Sequence, residues 1–200
     1  VDYLMQINLG KKINLGDRVA VIGGGNVAMD AVRTAVRTGS KNVFILYRRT
    51  RAEMPASPEE IEEAMEEGIE MKFLVAPKRV VGKDGKVTGI ECTRMELGEP
   101  DASGRRRPVE IKGSEFIIEC DAIVPAIGQE ADLSFITKES GVSINKWNNV
   151  DYDPVTYATN VPGVFTGGDV STGPQTVVKA VYSGKEAAKS IDRYFQGQDM

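Results

Sequence analysis

Histidine is absent from this 200-residue sequence, and cysteine occurs only twice, as Cys92 and Cys120. The lack of histidine excludes a Ser-His-Asp triad and any histidine metal site. The two cysteines have neither CxxC nor metal-ligand spacing and cannot build a disulfide framework, so we interpret both as small buried side chains in a reducing cytoplasm. The sequence therefore predicts no metal site and no acid-base catalytic residue.

Long apolar runs and a strong charge imbalance are also missing. The formal net charge of -4 gives no basic surface for nucleic acid. The longest apolar runs are strand-sized, far below the roughly 20 residues that span a bilayer, and no signal peptide is visible. These absences predict a cytoplasmic protein with neither nucleic acid nor membrane as a partner. Because the chain starts at Val1 within an amphipathic pattern, we expect it to be a piece of a longer protein.

A strand, a glycine turn, a helix and a second strand follow one another early in the chain. Residues 19–22 form a short apolar run, helical spacing continues to a stop at Gly39, and "NVFILY" at 42–47 has no polar alternation. An apolar strand of that kind is typical of a parallel sheet covered on both faces. This order over roughly 30 residues is the unit of a nucleotide-binding α/β fold.

The turn between the first strand and the helix carries a dinucleotide fingerprint. Gly23, Gly25 and Ala28 form G-x-G-x-x-A. The first glycine permits the tight turn, the second lets the backbone approach a pyrophosphate, and Ala28 allows close packing of helix and strand. The alternative is a merely structural turn, but the flanking strands and helix favour dinucleotide binding.

The residues after the second strand indicate which dinucleotide. A site for NAD normally has Asp or Glu there, whereas this strand is followed by Arg48 and Arg49. Paired guanidinium groups can hold a 2'-phosphate that a carboxylate would repel. The alternative is that both arginines are surface charges. The pattern favours NADPH over NADH.

The middle of the chain predicts a helix, a strand and a hairpin. "SPEEIEEAMEEG" has Ser57 as N-cap, Glu60 completing a capping box, and Met65 on the inner face with Ile61 and Ala64. "IEMKFLVA" at 69–76 is expected to be one strand, and a hairpin turns at residues 83–86. The arginines at 105–107 are expected at a solvated loop tip.

The last third predicts short strands and a final helix. "VFTGGDV" at 164–170 is interpreted as a strand that ends in two glycines and Asp169. The final helix has an apolar stripe that should pack on a sheet, comprising Val177, Val181, Gly184, Ala188, Ile191 and Phe195.

Four segments in this order resemble one enzyme family: "VIGGGNVAMDAVRTAVRTG", "YRRTRAEMPASPEEIEEAMEEGI", "AIGQ" and "VPGVFTGGDV". They are similar to the small (beta) subunit of NADPH-dependent glutamate synthase and related FAD-dependent pyridine nucleotide oxidoreductases. The likeness covers nearly the whole chain. In that family an NADPH domain is inserted into an FAD domain. The resemblance implies hydride transfer from NADPH to FAD, with electrons then passing through iron-sulfur clusters to a large subunit that makes glutamate.

Carried over by position, the resemblance implies a set of cofactor contacts. The NADPH pyrophosphate would meet the glycine turn, and the 2'-phosphate would meet the two arginines. The crossing back to the flavin domain would lie at 126–128, Gly168 and Asp169 would meet FAD, and the start of the last helix would face the isoalloxazine. The residues so implied are Gly23, Gly25, Asn26, Val27, Ala28, Arg48, Arg49, Ala126, Ile127, Gly128, Gly168, Asp169, Gln175 and Thr176.

The family's own FAD fingerprint and cysteine-rich segment have no counterpart in this chain. The expected fold is therefore α/β: a lead-in helix and linker (1–14), a Rossmann-like NADP-binding domain with an antiparallel hairpin insertion (15–128), and the C-terminal half of an FAD-binding domain (129–200). We expect the chain to hold an NADPH site and half of an FAD site.

Three interpretations stay open on sequence alone. The chain belongs to a glutamate synthase small subunit, to a module with the same cofactors and another acceptor such as ferredoxin, or to a non-catalytic NADP-binding module. The FAD half-site predicts exposed apolar surface, and we expect the fragment to bury it in a homodimer or to have a poorly ordered C-terminal third.

Overall fold

The computed structural model describes residues 1–101 and 104–198, which divide into two compact units, Val1–Ile127 and Gly128–Met200. The first unit contains eight strands and three α-helices among its described residues. In chain order these are α1 (Asp2–Asn8), β1 (Arg18–Ile22), α2 (Asn26–Arg37), β2 (Asn42–Tyr47), α3 (Pro58–Glu66), β3 (Glu70–Phe73), β4 (Val75–Lys83), β5 (Lys86–Pro100), β6 (Arg106–Glu110), β7 (Phe116–Glu119) and β8 (Ala122–Pro125).

A four-stranded parallel sheet in the order β3-β2-β1-β8 forms the centre of the first unit. Alternate residues of β1 and β2 enter two different hydrophobic clusters. Val21 and Ile45 pack with α2 and α3, whereas Ala20 and Phe44 pack with residues of the antiparallel sheet. Because both faces are covered, β2 shows no polar alternation. The predicted α/β fold with an antiparallel insertion is confirmed.

The antiparallel sheet has β5 at its centre, with β4 and β7 paired along one part of it and β6 along another. The predicted hairpin is confirmed: Lys83 pairs with Lys86, and both Asp84 and Gly85 have positive φ, as a tight two-residue turn requires. Cys92 and Cys120 are free and fully buried as expected, and burial raises the pKa of Cys92 to about 11. Both thiols are therefore buried packing groups at neutral pH.

The predicted single strand over 69–76 is wrong, because Leu74 divides it. Leu74 has a φ of 55°, its N–H donates to Arg49 O at 3.1 Å, and its carbonyl accepts from Met95 N at 2.8 Å. The left-handed residue turns the chain from the parallel sheet (β3) into the antiparallel sheet (β4). A pattern of apolar residues cannot reveal this change, since both halves remain extended.

Helix α3 has the predicted N-terminus but not the full predicted inner face. Ser57 Oγ accepts from Glu60 N at 3.2 Å, and Pro58 is the first helical residue. The Oε2 atom of Glu60 is buried without a hydrogen-bond partner, so it does not close the predicted capping box. Ile61 and Ala64 are buried, whereas Met65 is 43% exposed, because α3 packs with a narrower face than the spacing suggested.

The arginines at 105–107 are exposed as expected, but only Arg105 lies in a loop, because Arg106 and Arg107 belong to a strand. Strand β6 begins at Arg106, whose guanidinium donates to Leu97 O at 2.5 Å and Gly98 O at 3.1 Å. The residues of β6 therefore extend the antiparallel sheet by pairing with β5, and they do not form a solvated loop. Two residues of the predicted loop, 102 and 103, lie outside the described residues.

The second unit contains α4 (Asp169–Thr172), α5 (Val177–Phe195) and a 3-10 turn at Lys138–Ser140. Its predicted short strands are reduced, in residues 128–198, to two isolated bridges, Ile144↔Val150 and Ala158↔Phe165. Many backbone N–H and C=O groups in these residues pair within local turns instead of between strands. For example, Thr159 N–H donates to Val164 O, and Val164 N–H donates to Val161 O.

The apolar stripe predicted for the last helix is not its buried face. The buried residues of α5 are Ser183, Ala187 and Ser190, one position out of phase with the stripe. Small residues allow a close backbone approach, and a Cβ added at Gly167 would lie 3.4 Å from the backbone of Ser183. The stripe residues Val177 and Phe195 are 80% and 81% exposed. Among the described residues, every helix is too short or too polar to cross a lipid bilayer.

A carboxylate clamp joins β1 to β8 at the start of the parallel sheet. Asp121 Oδ2 accepts from the backbone N–H groups of Asp17 and Arg18 at 3.1 and 2.9 Å, and Oδ1 accepts from Arg18 Nη2 at 2.8 Å. The hydrogen bond from the Arg18 side chain, with those from the backbone, lowers the pKa of Asp121. The folded state therefore favours the ionised carboxylate.

We predict that Asp121→Asn lowers the free energy of unfolding at pH 7 by on the order of 1–2 kcal/mol. Since the folded pKa is depressed, the contribution of the carboxylate is complete above its unfolded pKa of about 3.9 and is lost as the pH falls toward the folded pKa. Urea denaturation at pH 7 and below pH 4 should show a difference that shrinks in acid. Asp30→Asn, at an exposed carboxylate of α2, is the control. An equal effect of both substitutions would contradict the clamp.

Candidate functional site

The turn between β1 and α2 requires glycine at its first position. Gly23 has a φ of 140°, and a Cβ added there would lie 2.2 Å from the carbonyl oxygen of Ala126. Gly23 N–H donates to Leu46 O at 3.1 Å, and Ala126 N–H donates to Ile22 O at 2.8 Å. The turn is therefore fixed between the carboxyl ends of β2 and β8.

Gly24, the middle glycine, packs against the ring of Tyr47. A Cβ added at Gly24 would lie 2.6 Å from ring carbon Cε2 of Tyr47. The ring cannot move aside easily, because Tyr47 is 7% exposed and its hydroxyl donates to Glu53 O at 2.6 Å. The G-x-G-x-x-A fingerprint does not predict this role of Gly24, because it treats the middle position as variable. Three successive glycines were the available signal.

The third glycine and the first two residues of α2 lie in an open environment. Gly25 is the N-cap, and a Cβ added there would have Pro55 Cγ as its nearest atom, at 3.8 Å. Asn26 and Val27 are exposed, whereas Ala28 is fully buried against the sheet. The N–H groups at the start of a helix have no intrahelical partner, so this open cradle suits an anionic group such as a pyrophosphate.

The two arginines after β2 lie in opposite environments. Arg48 is exposed, and its side chain forms no hydrogen bond or ion pair with another described residue. Arg49 is 6% exposed; its Nε donates to Arg106 O and its Nη2 to Asp101 Oδ2, each at 2.7 Å. Arg48 can therefore accept an anion without losing a bond, and Arg49 cannot.

A 3-10 turn at Arg51–Glu53 closes the segment that follows the arginines. Glu53 Oε2 accepts from Thr50 N at 3.0 Å and from Thr50 Oγ1 at 2.6 Å, which completes a capping box. These bonds, led by the one from the Thr50 side chain, lower the pKa of Glu53, and the charge of Arg106 contributes. Further on, Ala56 N–H donates to Gly24 O at 3.1 Å. The arginine segment and the glycine turn are thus fixed to each other.

The predicted crossing segment follows β8. Ala126 contacts the glycine turn as described, Ile127 is 76% exposed, and Gly128 has a φ of 101°. The structure therefore brings Ala126 together with the glycine turn and the start of α2 in the first unit. Ile127 is the last residue of that unit, and Gly128 is the first of the second.

The remaining predicted site residues belong to the second unit. Gly168 has a φ of 74°, and its N–H donates to Ser183 Oγ at 2.7 Å, which fixes it to α5. Asp169 is exposed, and its Oδ1 accepts from Gln175 N at 3.2 Å. Thr176 is the N-cap of α5, its hydroxyl accepting from Lys179 N at 3.5 Å. A carboxylate and a helix N-terminus thus lie close in the chain, joined by one hydrogen bond.

No cluster of three or more His, Cys, Asp or Glu side chains in the described residues could hold a metal ion. The polar groups found at the predicted positions are backbone donors, two guanidinium groups, one exposed carboxylate, the amides of Asn26 and Gln175 and the hydroxyl of Thr176. Such groups bind phosphates and hydroxyls.

Curated relatives cover nearly all of this chain, but the chain spans less than half of each of them. It is 51% identical over 197 residues to the NADP(+)-dependent formate dehydrogenase subunit beta of Moorella thermoacetica, covering 98% of this chain and 28% of that protein. It is 45% identical over 217 residues to the NADPH-Fe(3+) oxidoreductase subunit beta of Geobacter sulfurreducens (98% and 32%). It is 40% identical over 210 residues to the glutamate synthase [NADPH] small chain of Azospirillum brasilense (97% and 43%).

Solved structures share the fold. Thioredoxin reductase of T. acidophilum superposes with a TM-score of 0.71 at 27% identity, covering 90% of this chain and 52% of that one. FprA of Mycobacterium tuberculosis superposes with a TM-score of 0.74 over 93% of this chain and 55% of that one; at 17% identity this likeness concerns the fold alone. The family model for pyridine nucleotide-disulphide oxidoreductases matches residues 1–184. This chain therefore belongs to the pyridine nucleotide-disulphide oxidoreductase family.

Proposed function

We propose that this chain is the NADPH-binding part of a flavin-dependent oxidoreductase subunit. The observation that carries the proposal is the open glycine turn at the start of α2, fixed beside the exposed Arg48. Gly25, Asn26 and Val27 would donate backbone N–H groups to the pyrophosphate, and Ala28 would keep the helix close to the sheet. Arg48 would bind the 2'-phosphate, while Arg49 supports the segment from within.

The second unit would supply half of an FAD site. Gly168 gives a tight turn before the exposed carboxylate of Asp169, which suits the hydroxyls of a ribityl or ribose group. Gln175 and Thr176 at the start of α5 would face the isoalloxazine, with Ala126, Ile127 and Gly128 as the crossing between NADPH and FAD domains. The domain limits proposed on the sequence, 15–128 and 129–200, correspond to these two roles.

The chemistry that a bound nicotinamide supplies to flavin is hydride transfer, which depends on placement more than on an acid-base side chain. The residues of this chain would bind and orient the coenzyme. The absence of histidine is compatible with that role, because no side chain has to exchange a proton with the substrate.

For the electron acceptor we propose a partner subunit reached through iron-sulfur clusters, with the large subunit of glutamate synthase as the first candidate. A second candidate is a formate-oxidising partner, because the relative so named is 51% identical, against 40% for the glutamate synthase small chain. Isolation of the full-length subunit from its source with its bound partner, followed by assays for glutamate formation and formate oxidation, would distinguish the two.

We predict that the chain binds NADPH more tightly than NADH and that Arg48→Ala removes the preference. Loss of one charge-assisted contact to the 2'-phosphate should weaken NADPH binding roughly tenfold or more and leave NADH binding unchanged. Titration by nicotinamide fluorescence measures both. Arg107→Ala, at another exposed arginine of the same unit, is the matched control. Equal binding of NADPH and NADH by the unsubstituted chain would refute the NADPH assignment.

A visible absorbance scan of the same preparation tests the FAD proposal. We expect the purified chain to carry little flavin, because only half of the site is proposed to be present. Stoichiometric bound flavin would contradict the half-site.

The glycines of the turn should separate folding from binding. Gly25→Ala adds a methyl group where the nearest atom is 3.8 Å away, at a φ of -95°, so the fold should persist. The methyl group would enter the pyrophosphate cradle, and we expect NADPH and NADH binding to weaken alike, by roughly tenfold or more.

Gly24→Ala should instead lower the free energy of unfolding by about 1–3 kcal/mol, because the added methyl group overlaps the Tyr47 ring. Thermal denaturation and coenzyme titration of both variants give the comparison; unchanged binding in Gly25→Ala would refute the cradle.

We infer that the isolated chain self-associates through the exposed apolar face of α5. Val177, Val178, Val181 and Tyr182, which lie together in the first turns of α5, are 80%, 78%, 53% and 60% exposed. Apolar residues exposed in one such group are typical of a protein–protein contact surface. Sedimentation velocity should show a dimer that Val178→Glu dissociates. Val80→Glu, at an exposed valine of β4, should leave it intact. A monomer at high concentration would argue against the inference.

A further inference from the structure

Arg49 is the most completely enclosed charged side chain near the end of β2. Its guanidinium donates to two groups contributed by the insertion: the carbonyl of Arg106 at the start of β6, and the carboxylate of Asp101 just after β5. The Asp101 side chain is 25% exposed and that of Arg49 is 8% exposed. Breaking a partly buried pair leaves a desolvated charge without compensation, so this arrangement resists rearrangement when a ligand arrives.

The backbone of Arg49 is fixed as firmly as its side chain. Its carbonyl accepts from Leu74 N, and the Leu74 carbonyl accepts from Met95 N in β5. Leu74 reaches both partners through its left-handed φ of 55°. Arg49, which directly follows Arg48, is therefore held by the β3–β4 junction, by the end of β5 and by the start of β6.

Arg106 adds charge to the same region. Its side chain is exposed, and its guanidinium is placed by the carbonyls of Leu97 and Gly98. Its charge acts on Glu53 in the turn that follows the arginine pair. The insertion thus contributes one anchoring carboxylate and one cation to the segment that carries Arg48.

We propose that Arg49 is a positioning residue for coenzyme specificity. Its bonds to Asp101 and to the carbonyl of Arg106 fix the β5–β6 end of the insertion against the segment that carries Arg48. Arg48 is thereby presented to a 2'-phosphate. This rests on the proposed NADPH site. It assigns a specificity role to Asp101, which lies 53 residues from Arg48 and outside the β1-α2-β2 unit. It also gives the two arginines different roles: Arg48 contacts the phosphate, and Arg49 acts by positioning Arg48.

Asp101→Asn tests the proposal because the two possible roles of Arg49 give opposite results. A positioning Arg49 loses its anchor, so the preference for NADPH over NADH should fall, by roughly five- to tenfold. An Arg49 that contacts the phosphate directly would instead be released from a competing carboxylate, and the preference should stay equal or rise. The measurements are dissociation constants of NADPH and NADH, with adenosine 2',5'-bisphosphate against AMP as a pair of probes that differ only in the 2'-phosphate. Glu99→Gln removes an equal charge from the exposed end of β5 and is the matched control.

Arg49→Lys is the second variant and serves if Asp101→Asn fails to fold. Lysine retains the charge but cannot reach both partners with the fixed geometry of a guanidinium. If Arg49 is a positioning residue, the preference for NADPH should fall while NADH binding is retained. If Arg49 contacts the phosphate directly, the lysine should keep most of the preference for NADPH. Preserved preference in a folded variant overturns the proposal. Absence of any NADPH preference in the unsubstituted chain would instead refute the proposed NADPH site.

Discussion

The contact between the Tyr47 ring and the backbone of Gly24 is the constraint on which the candidate site depends. It joins the last residue of β2 to the turn that follows β1, and any side chain at Gly24 would overlap the ring. The Tyr47 hydroxyl continues the connection to Glu53, and the Gly24 carbonyl accepts from Ala56. The two parts of the proposed dinucleotide site, one for pyrophosphate and one for the adenosine end, are thereby held at a fixed separation.

Burial of the parallel sheet on both faces explains why an antiparallel insertion exists at all in this unit. Helices α2 and α3 cover one face through residues such as Val21 and Ile45; the other face, with Ala20 and Phe44, needs a second cover. The antiparallel strands provide it with Ile90 and Cys92. Because this cover packs behind β1 and β2, its edges come near the carboxyl ends of those strands, where ligands bind in open α/β sheets.

Local patterns predicted the elements whose determinants are close in sequence, and long-range contacts decided the rest. The glycine turn, the N-cap at Ser57 and the hairpin at Asp84 follow from adjacent residues, and the structure has them. The break at Leu74 depends on hydrogen bonds to Arg49 and Met95, which no local window contains. The buried face of α5 was displaced by one position because small residues, which weigh little in a hydrophobic pattern, allow the closest packing. The pair of arginines was found, but their opposite environments depend on Asp101, more than 50 residues away.

Under the role proposed for Arg49, coenzyme preference in such a unit is not fixed by the fingerprint and the residues after β2 alone. A guanidinium on a strand end has several rotamers, and ordering it costs conformational entropy that a phosphate contact must offset. Arg49 is already bonded to three groups, which restrains the backbone from which the Arg48 side chain extends. Only the side-chain part of the entropy cost then remains when the ligand arrives, which is the general effect of preorganisation. In this chain the bonds come from the insertion, so the same layer that completes the hydrophobic core also restrains the backbone next to Arg48. A sequence change in the insertion could then alter specificity while every residue of the fingerprint stays the same.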